Sequence, residues 1–172
     1  MFPPRMANDP DSVDGGSDWF VGRVGPLLVL YSARKLDDQN FDRYLELVAH
    51  HIDNTPPHQR IGAMYEVLEP SSVNADRRRR VGQMLSTRRN KLASICVGCA
   101  YVSRSTVGRG ILTAVSWIIS PPFPMKAFDN IDSGLAWLSG LLPELEPELF
   151  YQNYTAIRAR HLSSALAPGS RR

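Results

Sequence analysis

Cysteine is scarce: Cys96 and Cys99 are the only two in 172 residues. They form a C-x-x-C, but inside Ile-Cys-Val-Gly-Cys-Ala-Tyr-Val, a run that reads as a buried strand. A thioredoxin-type pair sits at a helix N-terminus, where the dipole lowers the thiol pKa. Strand alternation instead sends positions 96 and 99 to opposite faces of a sheet. There is no second Cys pair and no His nearby in sequence, so zinc is not expected either. The expectation is two buried structural thiols and no metal site.

Long apolar runs are also missing. The longest are roughly eight residues before Gly, Ser or Arg interrupts, far short of a membrane span. Met1 to Ser17 carries Pro, Asp and Gly where a signal peptide has its apolar core, so a cytoplasmic protein is expected. Catalytic signatures are absent too: there is no nucleophile elbow, Walker A loop, H-E-x-x-H or dinucleotide fingerprint. Gly108-Arg109-Gly110 is too short to cradle a diphosphate, and none of the four His lies near a Ser or Cys in a recognisable hydrolase arrangement. No cofactor is expected, and a non-enzymatic role is preferred. An unrecognised enzyme stays open as an alternative. It would need a deep polar pocket with two or more ionisable groups in contact. No internal repeat is visible.

What the chain does have is the composition of a soluble globular domain, 43% apolar and 22% charged. Its net charge of +3 is unevenly spread. Arg77, Arg78, Arg79, Arg80, Arg88, Arg89 and Lys91 crowd one stretch, while Glu144, Glu146 and Glu148 make the C-terminal part acidic. Such asymmetry suits an anionic partner or mutual recognition of protomers in a homodimer.

Residues 1–18, rich in Pro, Asp, Gly and Ser, read as a disordered arm. Trp19–Val24 and Leu27–Tyr31, split by Gly25-Pro26, read as a hairpin. Asp37 or its neighbour caps a helix with Phe41, Leu45, Val48 and Ile52 on one stripe, stopped before Thr55-Pro56-Pro57. The adjacent His50 and His51 read as an ordinary surface helix end. The centre is a βαβ unit: a strand over Ile61–Leu68, a Pro70-Ser71-Ser72 turn, a basic helix over roughly Val73–Leu92 and a strand over Ile95–Val102. Ser71 or Ser72 is its expected N-cap. Ser103-Arg104-Ser105-Thr106 opens a further helix with Ile111, Val115 and Ile118 inward, ended by Pro121-Pro122. A short strand over Met125–Phe128 follows, then a helix capped by Asp129 or Asn130 with Ile131, Leu135 and Leu138 inward. A last helix runs within Glu144–Leu166, with Leu145, Leu149, Ile157 and Leu162 as contacts, and residues 167–172 fray. This order predicts a single α/β domain over 19–142, with a mixed, largely parallel sheet, an N-terminal hairpin and a C-terminal helical extension over 143–166.

The chain resembles the STAS domains, and more closely their SpoIIAA-like (STAS/CRAL-TRIO-type) group, over about residues 20–142. The matching features are the hairpin followed by Asp37-Asp38-x-x-Phe41, the basic run Arg77–Arg80, Val102-Ser103-Arg104, Ile111-Leu112-Thr113-Ala114, Lys126-Ala127-Phe128 and Ala136-Trp137-Leu138. The resemblance implies a small non-enzymatic domain that binds a regulatory protein, a nucleotide or a lipid-like ligand. In the sporulation branch the switch is a phosphorylated Ser in an Asp-Ser-Ser-Gly turn. Here the turn is Glu69-Pro70-Ser71-Ser72-Val73, without that Asp or Gly, so phosphorylation of Ser71 or Ser72 is an open question.

Ligands of open parallel sheets sit beyond the carboxyl ends of the strands. Those ends supply Ser71, Ser72 and Asn74 after one strand, and Ser103, Arg104, Ser105 and Thr106 after the next. Hydroxyls and helix N-termini suit a phosphate or carboxylate. With Arg77 and Arg80 these are the candidate site residues. Four consecutive Arg span more than a full turn, so they cannot all face one partner, and neither aromatic platforms nor a recognition helix favour nucleic acid. The expected partner is a regulatory protein or an anionic small molecule. The alternative is an apolar, lipid-like ligand lined by Trp117, Phe123, Phe128 and Trp137.

Overall fold

The computed structural model describes residues 13–69, 74–110 and 120–166, with side chains as far as 161. Six strands form one sheet in sequential order. They are β1 (Val13–Gly15), β2 (Trp19–Val24), β3 (Leu27–Ser32), β4 (Ile61–Val67), β5 (Cys96–Val102) and β6 (Met125–Phe128). The pairs β1/β2 and β2/β3 are antiparallel, whereas β3/β4, β4/β5 and β5/β6 are parallel. The expected α/β fold, with a hairpin leading into a largely parallel sheet, is therefore what the chain adopts.

Helices cover both faces. On one side lie α1 (Asp38–Asn54), α2 (Ala75–Thr87) and α3 (Arg89–Ile95), which connect the parallel strands. There Phe41, Tyr44, Leu45, Val48 and Ile52 of α1 pack with Leu92 and Ile95 against Trp19, Val21, Leu28 and Ile61. The stripe read from the sequence is thus the buried one, with Tyr44 added. On the other side lie α4 (Ile131–Ser139) and α5 (Pro147–Leu166). Leu135, Leu138, Leu142, Leu145, Phe150, Tyr154 and Ile157 cover Phe20, Leu27, Val29, Tyr31, Met64, Ala100 and Val102. The C-terminal helix is therefore the second layer of the fold. Without it the inward residues of the hairpin on that face lose their cover. Its apolar contacts begin at Phe150, because Leu149 and Tyr151 are exposed.

Local signals set most boundaries. Asp37 caps α1 by accepting from Asn40 N at 2.8 Å, and Thr55 Oγ1 closes its end on His51 O. At Gly25 φ is +56°, so glycine suits the first position of the hairpin turn, and Pro26 keeps its own fixed negative φ. Asn130 caps α4 by accepting from Ser133 N, which decides between the two candidates.

Four expectations change. Part of the N-terminal arm is a strand: Val13, Asp14 and Gly15 pair with Gly22, Val21 and Phe20, and Asp14 is ion-paired to Arg43 at 2.9 Å. Three residues carry no readable period, so only the partner strand reveals them. The basic helix is two helices broken at Arg88, and its cap is Asn74, whose Oδ1 accepts from Arg77 N at 2.8 Å. The cap therefore falls after Ser71 and Ser72, which lie outside the described residues, as do Ile111, Val115, Trp117 and Ile118. The last helix begins at Pro147, since proline suits the first turn and the chain before it is turn.

The fourth change concerns the cysteines. Ile61 pairs with Cys96 but Gly62 pairs with Gly98, so Val97 is the extra residue of a bulge. A bulge resets the alternation. Val97 packs with the α4–α5 core, and a Cβ at Gly98 would lie 2.9 Å from Leu141 and Trp137 on that same side. Cys96 joins the α1 core, and Cys99 neighbours Cys96 and Tyr65. The two thiols thus share a face. Both remain buried and free, as expected, and burial pushes Cys96 up to about 12 and Cys99 upward as well.

Candidate functional site

The basic run is turned toward its own chain. Arg77 is buried, its Nη2 lies 2.6 Å from Asp38 Oδ1, and its guanidinium carbon stands 4.6 Å from the centroid of Phe41. Arg80 pairs with Asp42 and stands 5.3 Å from the same ring. Arg88 forks onto Asp53 at 2.9 and 2.8 Å, and Arg79 pairs with Asp76 at 2.6 Å. The hydrogen bond and charge of Arg77 hold the Asp38 carboxyl below its ordinary pKa, and Arg88 does the same for Asp53. Acidic α1 and basic α2 are thus zipped together. Arg77 and Arg80 are occupied in that contact, the first almost wholly out of solvent.

The second candidate group divides. Ser103 is buried, and its hydroxyl has no well-formed hydrogen bond among the described residues. Arg104 is exposed. Ser105 Oγ accepts from Gly108 N at 3.2 Å, capping the helical residues 106–110, and Thr106 Oγ1 accepts from Arg109 Nη2 at 3.2 Å. Ser105 and Thr106 are therefore committed to local structure. Ser103 and Arg104 belong to something larger.

That feature is a crevice of about 140 Å³ beyond the carboxyl ends of β4 and β5 and at the start of α4, where an open parallel sheet places its ligands. Its wall runs from Glu66–Leu68 at the end of β4, through Val102–Arg104 at the end of β5, to Asp129–Asp132, and is closed by Tyr151 and Arg158 of α5. Glu66 is the unusual member. It is 6% exposed in an otherwise apolar strand, and a buried carboxylate persists only with partners. Tyr154 Oη donates to Glu66 Oε2, and Arg158 Nη1 stands 3.5 Å from Oε1. The Arg158 guanidinium carbon lies 5.4 Å from the ring centroid of Tyr31, and its Nε is buried without a hydrogen-bond partner among the described residues.

The electrostatics follow from burial and these contacts. Burial, then the carboxylate of Glu66, pushes the Tyr154 hydroxyl well above its ordinary pKa, so it stays a donor. Burial works against the charge on Arg158, but Glu66, Tyr154 and Tyr31 together outweigh it and the guanidinium is held protonated. The crevice therefore presents two fixed cations, Arg104 and Arg158, and three carboxylates, Glu66, Asp129 and Asp132. Among the described residues no group of three or more His, Cys, Asp or Glu is arranged to hold a metal ion, and no helix is long and apolar enough to cross a membrane.

Of the candidate residues named from the sequence, the structure brings Ser103 and Arg104 to the crevice. Sequence reasoning missed Glu66, Tyr154 and Arg158. A lone carboxylate inside Ile-Gly-Ala-Met-Tyr-Glu-Val was the available signal. Its donor lies 88 positions away on a helix with no clear amphipathic period.

No family model, curated protein or solved structure matches this chain.

Proposed function

We propose that this chain is a non-enzymatic, STAS-like ligand-binding domain that acts by association, with the crevice beyond β4 and β5 as its binding site. The observation that carries the reading is the buried Glu66, held by Tyr154 and Arg158 at the crevice wall. A carboxylate taken from water at this cost, inside a polar recess at the ligand-binding end of a parallel sheet, suits recognition of a small polar molecule. Regulatory contact with a protein partner would then use the rim around Arg104, Leu68 and Tyr151, and ligand occupancy would alter that rim. The α2 arginines are a weaker recognition surface, because Asp38, Asp42 and Asp53 already engage them.

The test is a ¹H–¹⁵N spectrum of the full chain titrated with small polar compounds of every charge class. The expected result is saturable movement of the amides of Ser103, Arg104 and Asp129–Asp132. Movement with no compound, or movement confined to α2, would sink the crevice as the site.

One observation favours an enzyme as a second reading: Glu66 and Arg158 are ionisable groups in contact at a polar recess. Recovery of the bound compound unchanged after prolonged incubation argues for association, and conversion argues for catalysis. The apolar-ligand reading draws less support. Phe128 and Trp137 contact each other at 5.7 Å on the α4–α5 face, whereas Phe123 packs on the α1 face.

A further inference from the structure

The charges of the crevice specify more than polarity, and from them we infer that its ligand is a small zwitterion of the amino-acid type, a carboxylate and an ammonium a few bonds apart. This inference rests on the crevice being the binding site.

Consider first ligands of a single sign. An anion drawn to Arg158 and Arg104 meets Glu66, Asp129 and Asp132 on the same walls. A cation drawn to those carboxylates meets both guanidiniums. Either leaves like charges facing it across a recess with reduced screening, where such juxtaposition is unfavourable. A ligand carrying both signs satisfies both sets.

The arrangement also orients it. Arg158 Nη1 and Glu66 Oε1 are 3.5 Å apart, beyond hydrogen-bonding length, so each keeps capacity toward a third group. The Glu66 side chain is 8% exposed and that of Arg158 31%, so the guanidinium is the more open of the two. Its planar fork matches a carboxylate. Asp129 and Asp132 are exposed at the mouth, where they would receive the ammonium of a ligand whose carboxylate is held by Arg158. Val67, Val102 and Ile131 supply the apolar part of the wall. The crevice is small, about 140 Å³ against the roughly 300 Å³ at which drug-sized pockets begin, which suits a small ligand.

The experiment titrates glycine, L-alanine, acetate, ethylammonium and acetamide into the ¹⁵N-labelled full chain, with wild type, Asp132→Asn and Arg158→Met compared. Glycine or alanine should move the crevice amides at concentrations at least about tenfold lower than acetate or ethylammonium. Asp132→Asn, an exposed first-turn change that leaves the core untouched, should weaken the amino acid severalfold and leave acetate unchanged or tighter. Arg158→Met should abolish both, with a dispersed spectrum showing that the chain remains folded. If acetate, ethylammonium or acetamide binds the crevice as tightly as glycine, or if Asp132→Asn binds glycine like wild type, the zwitterion inference is overturned while the crevice stands as the site. If no probe of any class moves the crevice amides, both the inference and the functional reading beneath it fail.

Discussion

Tyr154→Phe isolates the interaction that holds the crevice together. The ring stays, so the stacking of Tyr154 on Phe150, with centroids 5.6 Å apart, is kept. Only the hydroxyl that donates to Glu66 is removed. Tyr154 is 1% exposed and Glu66 6%, so water does not readily replace the lost donor. A hydrogen bond to a charged group contributes about 1.5–3 kcal/mol, and stranding its buried acceptor costs an amount at the upper end of that range. The expected destabilisation is therefore about 2 kcal/mol. In urea, with a slope of about 2 kcal/mol per M, the midpoint should fall by about 1 M. The Tm should fall by about 4–8 °C. Glu66→Gln tests the same contact from the other side. In the double variant the losses should be less than additive by at least about 1 kcal/mol, because one interaction has been removed twice. A midpoint within about 0.2 M of wild type for Tyr154→Phe would refute the reasoning. It would mean that Arg158 alone supports the carboxylate.

Three further outcomes are expected. Both cysteine thiols are raised by burial, Cys96 from 9.0 to about 12, so the unfolded chain ionises them first. Their contribution is complete below pH 9 and lost above it, about 1.4 kcal/mol per thiol by pH 10. Urea midpoints measured from pH 8 to 10 should therefore fall in wild type and fall distinctly less in Cys96→Ala/Cys99→Ala, and equal slopes would contradict the burial of the pair. A Cβ at Gly15 would lie 2.3 Å from Trp19 O and 2.6 Å from Phe20 Cα, both backbone atoms that cannot turn aside. Gly15→Ala should thus break β1 from β2, costing about 1–3 kcal/mol and raising hydrogen exchange at Val13–Gly15 and Gly22; unchanged exchange there would count against the β1 pairing. Arg77→Ala removes the stack on Phe41 and leaves Asp38 unpaired, so α2 should loosen on α1 with a loss of about 1–2 kcal/mol, while Arg77→Met should recover the packing share. Equal losses in the two variants would assign the whole effect to charge.

Much of this protein is written in local pattern. The alternation of Trp19–Val24, the apolar run Leu27–Leu30, the stripe Phe41-Leu45-Val48-Ile52 and the prolines at 56 and 57 determine these strands, the first helix and its end. They do so because periods of 2 and 3.6 and the proline ring act within a few residues. Short connections and right-handed crossovers then leave few ways to arrange the sheet, so the mixed, largely parallel layer was legible before any coordinate.

What the chain could not disclose locally is whatever depends on a distant partner. Val13–Gly15 becomes a strand only because β2 offers it an edge. A single extra residue, Val97, resets the pleat and brings to one face two cysteines that simple alternation sends apart. Arg77 and Arg80 read as an open basic surface until α1 is laid beside them, when Asp38 and Asp42 take up their charge. The candidate site is the clearest case: Glu66, Arg158 and the first turn of α4 come from three separate stretches. A carboxylate's surroundings are fixed by who is within a few ångströms, and only the tertiary fold decides that.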